Sequence, residues 1–491
     1  MTARLLSGPN AALLTDFYEL TMMAGYLRQG RGQGTAVFEY FFRGLPQDTG
    51  FCVFAGLEDL LGDLESLRFD RETIDWLRSL GVFDDEFLSY LAGFRFSGDI
   101  WAAREGSAVF PHEPVVRVRG LLPEAQLVET ILLNRLNYQT LVATKAARVC
   151  FAAEGDPVME FGLRRAQGPD GGVSGSRAAF IGGCSATSNV LAGKLYGIPV
   201  RGTMAHSWIM SYEDEKQAFA DYIRCFPSLP TLLLDTYDTE TSGIENAVAA
   251  FSEARARGWG GEASIRLDSG DLAYLSKLAH ERLEAAGFLK PVIIASNSLN
   301  EYLIADLKHQ GAKINGWGVG TELITGGSEP ALGGVYKMAA FERDGQLVGK
   351  VKISSNPEKT TDPGVKCPVR FYEPDGCPAG DVLFAQDEEP PATSDVLSRD
   401  RIEHARVLRI PGGARREGLL VPAMKDGRRT DPPRGVREIR DFAAAQINAL
   451  HPELRRLRNP ARYWVGLSER LADEKAGEIL RLTGEISRGA Q

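Results

Sequence analysis

The sequence predicts an α/β protein: an irregular βα barrel of the TIM type, with an N-terminal α/β domain before it and a C-terminal extension after it. Two observations lead there. Six short, mostly apolar runs begin near residues 158, 198, 231, 264, 292 and 314, spaced 22 to 40 residues apart, and several are followed by a helical pattern that stops at glycine. Parallel strands cannot be joined by tight turns, so this is the spacing that strand–helix–strand crossovers require. No Gly-x-Gly-x-x-Gly follows the first run, and Gly316-Trp317-Gly318-Val319-Gly320 has the wrong spacing for one. That favours a barrel over an open, doubly wound sheet.

The elements follow in order. Leu13, Phe17, Leu20, Ala24 and Leu27 repeat at three and four residues, which predicts a helix, and Thr35–Phe42 is aromatic and β-branched, which predicts a strand. Val115 to Gly120 alternates as a half-exposed strand, and from Pro123 to Cys150 the pattern turns helical. The six runs are Val158–Phe161, Ile198–Thr203, Thr231–Leu234, Ser264–Leu267, Val292–Ala295 and Ile314–Val319. Leu272, Leu275, Ala279 and Leu283 share a helix face before Gly287, as Ile244, Ala247, Val248, Phe251 and Ala254 do before Gly258. Beyond about residue 350 acidic, basic, proline and glycine residues predict loops, then helices over Val436–Leu450 and Pro460–Leu482. The expected domains are 1–130, 131–350 and 351–491, the last packing back on the first.

Composition narrows the class. Of 491 residues, 44% are hydrophobic and 25% charged, as in a globular protein rather than a disordered one. Lys and Arg number 56 against 65 Asp and Glu, a net charge of −9, which argues against a nucleic-acid partner. No stretch approaches the roughly 20 apolar residues that cross a bilayer, and Met1 to Pro9 carries no run long enough for a secretory signal. The 6 cysteines are scattered without a Cys-x-x-Cys pair, which suits a reducing cytoplasm. The expectation is a soluble cytoplasmic enzyme with no membrane and no nucleic-acid partner.

Reactive side chains cluster at the carboxyl ends of the runs: His206 and Ser207, then Asp235, Thr236 and Asp238, then Asp268, Ser269 and Asp271, then Ser296 and Asn297, then Gly320, Thr321 and Glu322. In a βα barrel those ends converge on one pocket. Any one of them can equally be a loop residue or a helix cap, and Asp268-Ser269-Gly270-Asp271 before Leu272 is a good cap signature. Five polar strand ends together point to a site. Asp235, Asp238, Asp268 and Asp271 are candidate Mg²⁺ ligands. The turns Gly182-Gly183-Cys184-Ser185, Gly320-Thr321 and Gly326-Gly327-Ser328 offer backbone N–H groups to phosphate. Of 6 histidines only His206 falls at a strand end; His280 and His309 fall on helices, and His112, His404 and His451 outside the array. A P-loop, a zinc signature and a Gly-x-Ser-x-Gly elbow are all missing from the sequence, and Gly193-Lys194 is followed by Leu195.

Leu14-Thr15-Asp16-Phe17-Tyr18, Glu160-Phe161-Gly162-Leu163-Arg164-Arg165, Gly202-Thr203-Met204-Ala205-His206-Ser207, Arg266-Leu267-Asp268-Ser269-Gly270-Asp271, Gly318-Val319-Gly320-Thr321 and Asn356-Pro357-Glu358-Lys359-Thr360 occur in that order. Together, from about residue 13 to 372, they resemble the nicotinate phosphoribosyltransferase family. The resemblance implies an N-terminal α/β domain against an irregular βα barrel, and a homodimer. It also implies a reaction of nicotinate with 5-phosphoribosyl 1-diphosphate that gives nicotinate mononucleotide and pyrophosphate, for NAD biosynthesis. ATP would be a co-substrate through a phosphorylated histidine, and Mg²⁺ would be required.

By the same resemblance His206 is the phosphorylated residue, Thr203 and Arg266 bind nicotinate, and Thr321 binds the phosphoribosyl diphosphate, with Gly320 beside it a further substrate-binding candidate. Asp235 and Asp268 lie near metal and ribose, and Arg164, Asn297, Gly326 and Gly327 are candidates for phosphate or ribose. Tyr18 matches a tyrosine that lines the nicotinate site, reaching across from the partner subunit in the related nicotinamide enzyme.

The chemistry suits those assignments. An electron-poor pyridine is held by offset aromatic stacking, which Phe161 and Tyr18 can supply. Its carboxylate asks for a planar, permanent cation such as Arg266. Nicotinamide-using relatives carry an aspartate where Gly183 to Thr187 aligns Ala186, so the absent anion favours nicotinate. Plainer roles also exist: Tyr18 and Phe161 as core aromatics, Arg266 in a salt bridge with Asp268 or Glu262, Thr203 as a strand former. The alternatives carried forward are a nicotinamide-preferring enzyme and a non-catalytic binding paralogue.

Overall fold

The computed structural model describes residues 9–228, 230–403 and 405–489; Met1 to Gly8 and His404 lie outside the described residues. The chain forms two units, Val142–Pro330 and Met1–Leu141 with Ala331–Gln491.

The Val142–Pro330 unit is built on six strands: β1 (Val158–Glu160), β2 (Ala186–Thr187), β3 (Thr231–Leu233), β4 (Ser264–Leu267), β5 (Val292–Ala295) and β6 (Gly316–Val319). They form one sheet in the order β2-β1-β6-β5-β4-β3, and every neighbouring pair is parallel. β6 is buried along its whole length, and β4 and β5 nearly so. Strands covered on both faces read as near-continuous apolar runs, which is why these segments stand out in the sequence. Helix Ile244–Ala256 follows β3, Leu272–Ala285 follows β4 and Glu301–His309 follows β5. Gly258 and Gly287 end the first two with φ of +93° and +86°, a conformation costly for a residue with a Cβ.

The closed barrel expected from the sequence is not formed. First strand pairs with last, β1 with β6, but among the described residues no ladder joins β2 to β3. The run Ile198–Thr203, expected to be a strand, makes a single bridge from Val200 to Thr187 and then leaves the sheet. Pro199 has no N–H to donate to a ladder, and Val200 stays 39% exposed. Two residues at Ala186–Thr187 supply a strand that the sequence pattern does not single out.

The other unit carries a seven-stranded sheet ordered Gln346–Gly349, Gly334–Arg343, Thr35–Phe42, Val116–Leu121, Asp99–Ala102, Val421–Lys425 and Arg428–Arg429, antiparallel throughout. Thr35–Phe42 lies inside this sheet, with seven of its eight residues buried. Tyr336 stacks on Phe38 with ring centroids 4.8 Å apart, and its hydroxyl donates to the Ala125 carbonyl at 2.7 Å. Burying a phenol leaves its O–H in need of an acceptor, which that carbonyl provides.

Residues beyond 350, expected to be loops, build a second sheet of six strands: Val407–Ile410, Val396–Asp400, Val465–Ser468, Pro378–Ala385, Lys366–Tyr372 and Arg416–Gly418. Charged residues hide these strands in the sequence. Arg370 and Asp381 face each other across the ladder, both buried, in a two-pronged ion pair at 2.8 and 2.9 Å. The helix expected over Pro460–Leu482 starts later, at Glu469, because Val465–Ser468 is a strand. Gly466 in that strand touches Ser398 and Trp464 so closely that no Cβ fits. The helix Glu469–Gly489 is anchored by buried Lys475, which bonds Asp362 at 2.8 Å and the Arg401 carbonyl at 2.9 Å.

Candidate active site

The carboxyl ends of β1, β4 and β5 bring one cation and one aromatic ring together. Arg266 sits on β4, half-buried, with its guanidinium carbon 5.9 Å from the centre of the Phe161 ring that follows β1. Phe161 lies across Gly318 of β6, where an added Cβ would come within 2.6 Å of the ring, so glycine there makes room for the aromatic. Arg266 Nη1 donates to Thr203 Oγ1 at 2.9 Å, Nε to Ser296 Oγ at 2.7 Å and Nη2 to Asp268 Oδ1 at 2.8 Å. The Asp268 salt bridge considered from sequence is therefore present. Three of the guanidinium's five N–H groups are engaged, which leaves two for a ligand.

Beside this cradle stands a second cluster. Ligand atoms of His206, Asp235 and Asp268 lie within 4.8 Å of one another. His206 opens the short helix His206–Met210, and its Nδ1 is 3.2 Å from the Thr236 hydroxyl beyond β3, so the two sides of the interrupted sheet meet here. Asp235 Oδ2 accepts from Ser269 at 2.6 Å, while its Oδ1 is buried with no hydrogen-bond donor. Such an oxygen is costly unless a cation or a proton satisfies it.

Asp238 and Asp271, also considered as ligands, are caps. Asp238 Oδ1 accepts from the Thr241 N–H and hydroxyl at 2.7 and 2.6 Å, and these bonds hold its carboxyl below the usual range. Asp271 caps Leu272–Ala285 through the Tyr274 N–H at 3.0 Å.

The remaining residues sit further from this network. Arg164 is exposed on a short 3₁₀ turn, and Thr321 is exposed at the start of Thr321–Ile324, preceded by Gly320. Asn297 is exposed with φ +81°, and its side-chain oxygen accepts from Ser298. Gly326 and Gly327 form a left-handed turn with φ of +77° and +76°. Among the described residues no hydrogen bond joins these to Arg266 or His206. Tyr18 belongs to the other unit, on helix Phe17–Arg28, and is 47% exposed; burial, with Glu129 and Glu19 nearby, pushes its hydroxyl above the usual phenol range.

Two features escape sequence reasoning. Buried Glu160 on β1 accepts from Ser176 at 2.8 Å, Thr187 at 2.6 Å and the Gly162 N–H, fixing the turn that presents Phe161. Lys145 lies on the long helix Glu129–Ala152, paired with Glu301 at 2.7 Å, and its Nζ is 2.9 Å from where a Gly327 Cβ would stand. Nothing in the spacing of either residue announces these contacts, which arise only when distant segments meet.

The fold and this site define an α/β enzyme whose polar groups stand at the carboxyl ends of parallel strands, the place where such sheets carry their chemistry. The chain belongs to the nicotinate phosphoribosyltransferase family. Residues 13–137 match the model of the nicotinate phosphoribosyltransferase N-terminal domain, and residues 365–475 match that of the C-terminal domain. The nicotinate phosphoribosyltransferase of Bacillus subtilis is 40% identical over 481 residues, covering 97% of this chain and 96% of that protein. Nicotinate phosphoribosyltransferase pncB2 of Mycobacterium tuberculosis is 42% identical over 96% of this chain and 94% of its own length. The crystal structure of human nicotinic acid phosphoribosyltransferase aligns with a TM-score of 0.82 at 32% identity, over 95% of this chain and all of that one.

Proposed function

We propose that this enzyme joins nicotinate to 5-phosphoribosyl 1-diphosphate, giving nicotinate mononucleotide and pyrophosphate, with ATP consumed through His206. The ring nitrogen attacks the anomeric carbon, the bond from that carbon to pyrophosphate breaks, and pyrophosphate leaves with the bonding pair. The observation that carries this reading is the Arg266 cradle, a guanidinium beside the Phe161 ring with two donors to spare. A flat anion such as nicotinate uses both parts: the ring lies against Phe161 and the carboxylate meets Arg266. Ala186, buried with Met159 and Ile294 in the apolar cluster that Phe161 packs on, puts no anion beside the ring and so favours nicotinate over nicotinamide.

His206 is the proposed phosphoryl acceptor. With Nδ1 engaged by Thr236, Nε2 is the ring nitrogen left to attack the γ-phosphorus of ATP as the bond to ADP breaks; water later cleaves the phosphoimidazole. Mg²⁺ fits Asp235 and Asp268, because the Asp235 Oδ1 lacks a donor and hard cations choose oxygen over imidazole nitrogen. Bound there, the ion would supply positive charge beside the departing pyrophosphate.

Thr203 helps place the carboxylate, and Arg164, Asn297, Gly320, Thr321, Gly326 and Gly327 are assigned to the phosphoribosyl end. A homodimer is part of the reading, with Tyr18 of the partner subunit stacking on nicotinate; its 47% exposure in the single chain supports that role. The proposed location is the cytoplasm, in keeping with six unbridged cysteines. No helix among the described residues is long and apolar enough to cross a membrane. The test is formation of the mononucleotide from nicotinate and phosphoribosyl diphosphate, with and without ATP and Mg²⁺. Equal or better turnover of nicotinamide would overturn the substrate assignment.

A further inference from the structure

We infer that Ser296 is a positioning residue for the substrate carboxylate, the group that fixes how Arg266 faces the ring site. The inference rests on the reading of Arg266 given above. Ser296 is 3% exposed at the end of β5, and its hydroxyl has one proton to give and two lone pairs to accept with. The proton goes to Asp268 Oδ1, and a lone pair takes Arg266 Nε at 2.7 Å. Asp268 Oδ1 in turn accepts from Arg266 Nη2 at 2.8 Å, so hydroxyl, carboxylate and guanidinium close a ring.

That ring occupies the Nε–Nη2 edge of the guanidinium. Thr203 takes one proton of Nη1. The donors left over are one on Nη1 and one on Nη2, a pair that the two oxygens of one carboxylate can bridge. Without Ser296 the Nε edge is open, and the guanidinium has a competing way to meet an anion or water. Ser296 therefore acts through Arg266, without touching the substrate.

The backbone holds the serine in place. Its N–H donates to the carbonyl of Leu267 at 3.0 Å, the residue between Arg266 and Asp268. Immediately afterwards Asn297 and Ser298 take φ of +81° and +52°, two successive non-glycine residues in the left-handed region. That conformation is unfavourable and persists only where the surroundings impose it. It ends β5 abruptly and leaves the serine hydroxyl aimed at Arg266 and Asp268.

Ser296→Ala, Ser296→Thr and Arg266→Ala test this in the full-length enzyme, read as separate KM values for nicotinate and for phosphoribosyl diphosphate. The expected result is a rise of about tenfold in KM for nicotinate in Ser296→Ala, with KM for phosphoribosyl diphosphate held within about twofold. Ser296→Thr, which keeps the hydroxyl, restores the nicotinate value. An unchanged nicotinate KM in Ser296→Ala, or both KM values rising together, overturns the role. If Arg266→Ala leaves nicotinate KM unchanged, the reading of Arg266 fails and the inference with it. If Arg266→Ala raises it and Ser296→Ala does not, Ser296 alone is refuted. Should the alanine variant not fold, Ser296→Cys, with its weaker acceptor, is read by the same two KM values.

Discussion

Arg266 on β4 and Asp268 just beyond its end, two residues apart, meet head to head at 2.8 Å, and the hydroxyl of Ser296 bonds to both. A cation with a neighbouring anion already attached remains a good receptor when its spare donors are held in place, because little rotamer freedom is then lost on binding. The pairing also gives Asp268 two tasks, since the same carboxylate borders His206 and Asp235. The Arg266–Phe161 cradle and the His206–Asp235 cluster are thus joined through one side chain.

Replacing Arg266 with alanine would remove the proposed charge-assisted contact to nicotinate, roughly 1.5–3 kcal/mol, so kcat/KM for nicotinate should fall about tenfold to a hundredfold. Arg266→Lys should not restore it, because an ammonium has three donors on a single nitrogen, and three partners at Thr203, Ser296 and Asp268 would leave none for the carboxylate. Steady-state kinetics with nicotinate and nicotinamide side by side check both statements; a fully active lysine variant is the contrary result.

His206→Ala is expected to abolish stimulation by ATP while leaving slow, ATP-independent formation of the mononucleotide. Thr236→Val removes the hydroxyl at His206 Nδ1 and should weaken the stimulation without eliminating it. Undiminished stimulation in His206→Ala refutes the phosphoryl role, and a radiolabelled γ-phosphate on the parent enzyme supports it.

Ala186→Asp places a carboxylate next to the Phe161 cluster. Activity on nicotinate should drop, and the ratio of nicotinamide to nicotinate turnover should rise, since the new anion repels one substrate and accepts from the amide of the other. A competition assay with both substrates reads the ratio directly.

Glu19, buried on helix Phe17–Arg28, has its carboxyl pushed up to about 7 by burial, with Glu129 and Asp16 adding to the effect and the Gln126 hydrogen bond at 2.7 Å opposing it. A carboxyl raised in the folded state stabilises fully below its unfolded pKa of about 4.3, and that contribution is lost as pH rises through about 7. Glu19→Gln mimics the protonated form at every pH. Its melting temperature should exceed the parent's at pH 8 and match it near pH 4; parallel curves across that range contradict the assignment.

Lys475→Met cuts the buried anchor of the last helix and leaves Asp362 Oδ1 without its cation, although Oδ2 keeps Arg401; Arg401, Lys475 and Lys366 together hold this carboxyl well below the usual range against the opposing effect of burial. Breaking one side of a buried ion pair costs about 3–5 kcal/mol. Urea unfolding should show a loss of that order, and a midpoint near the parent's would mean the pair contributes little.

What was legible in the sequence follows from which physical signal each segment carries. Thr35–Phe42, β3, β4, β5 and β6 advertise themselves because apolar strands have no polar reading. The Ile198–Thr203 run carries the same signal but ends in groups whose bonds lie elsewhere: Thr203 to Arg266, His206 to Thr236. The sheet beyond residue 350 is obscured because Arg370, Asp381 and Lys366 are buried as partners, and a pairing cannot be seen one residue at a time. At the site, His206, Asp235 and Asp268 stand out by their places at strand ends, whereas Arg266, inside β4, is pointed to only by the family resemblance. Asp238 and Asp271 share those places yet serve as caps, a distinction only the hydrogen bonds draw. Ser296 stood among the strand-end residues, but its double bond to Arg266 and Asp268 had no trace in the spacing.

Thr35–Phe42 pairs with Val116–Leu121 on one side and Gly334–Arg343 on the other, so a central strand of the seven-stranded sheet finds its second neighbour only after about 300 further residues have been joined. At about 5–20 residues per second on the ribosome, that is a wait of roughly 15–60 seconds with a long apolar edge uncovered. The Val142–Pro330 unit, by contrast, is contiguous and emerges complete before the remainder can close. Vectorial synthesis therefore imposes an order of events, the inserted unit first and its host last.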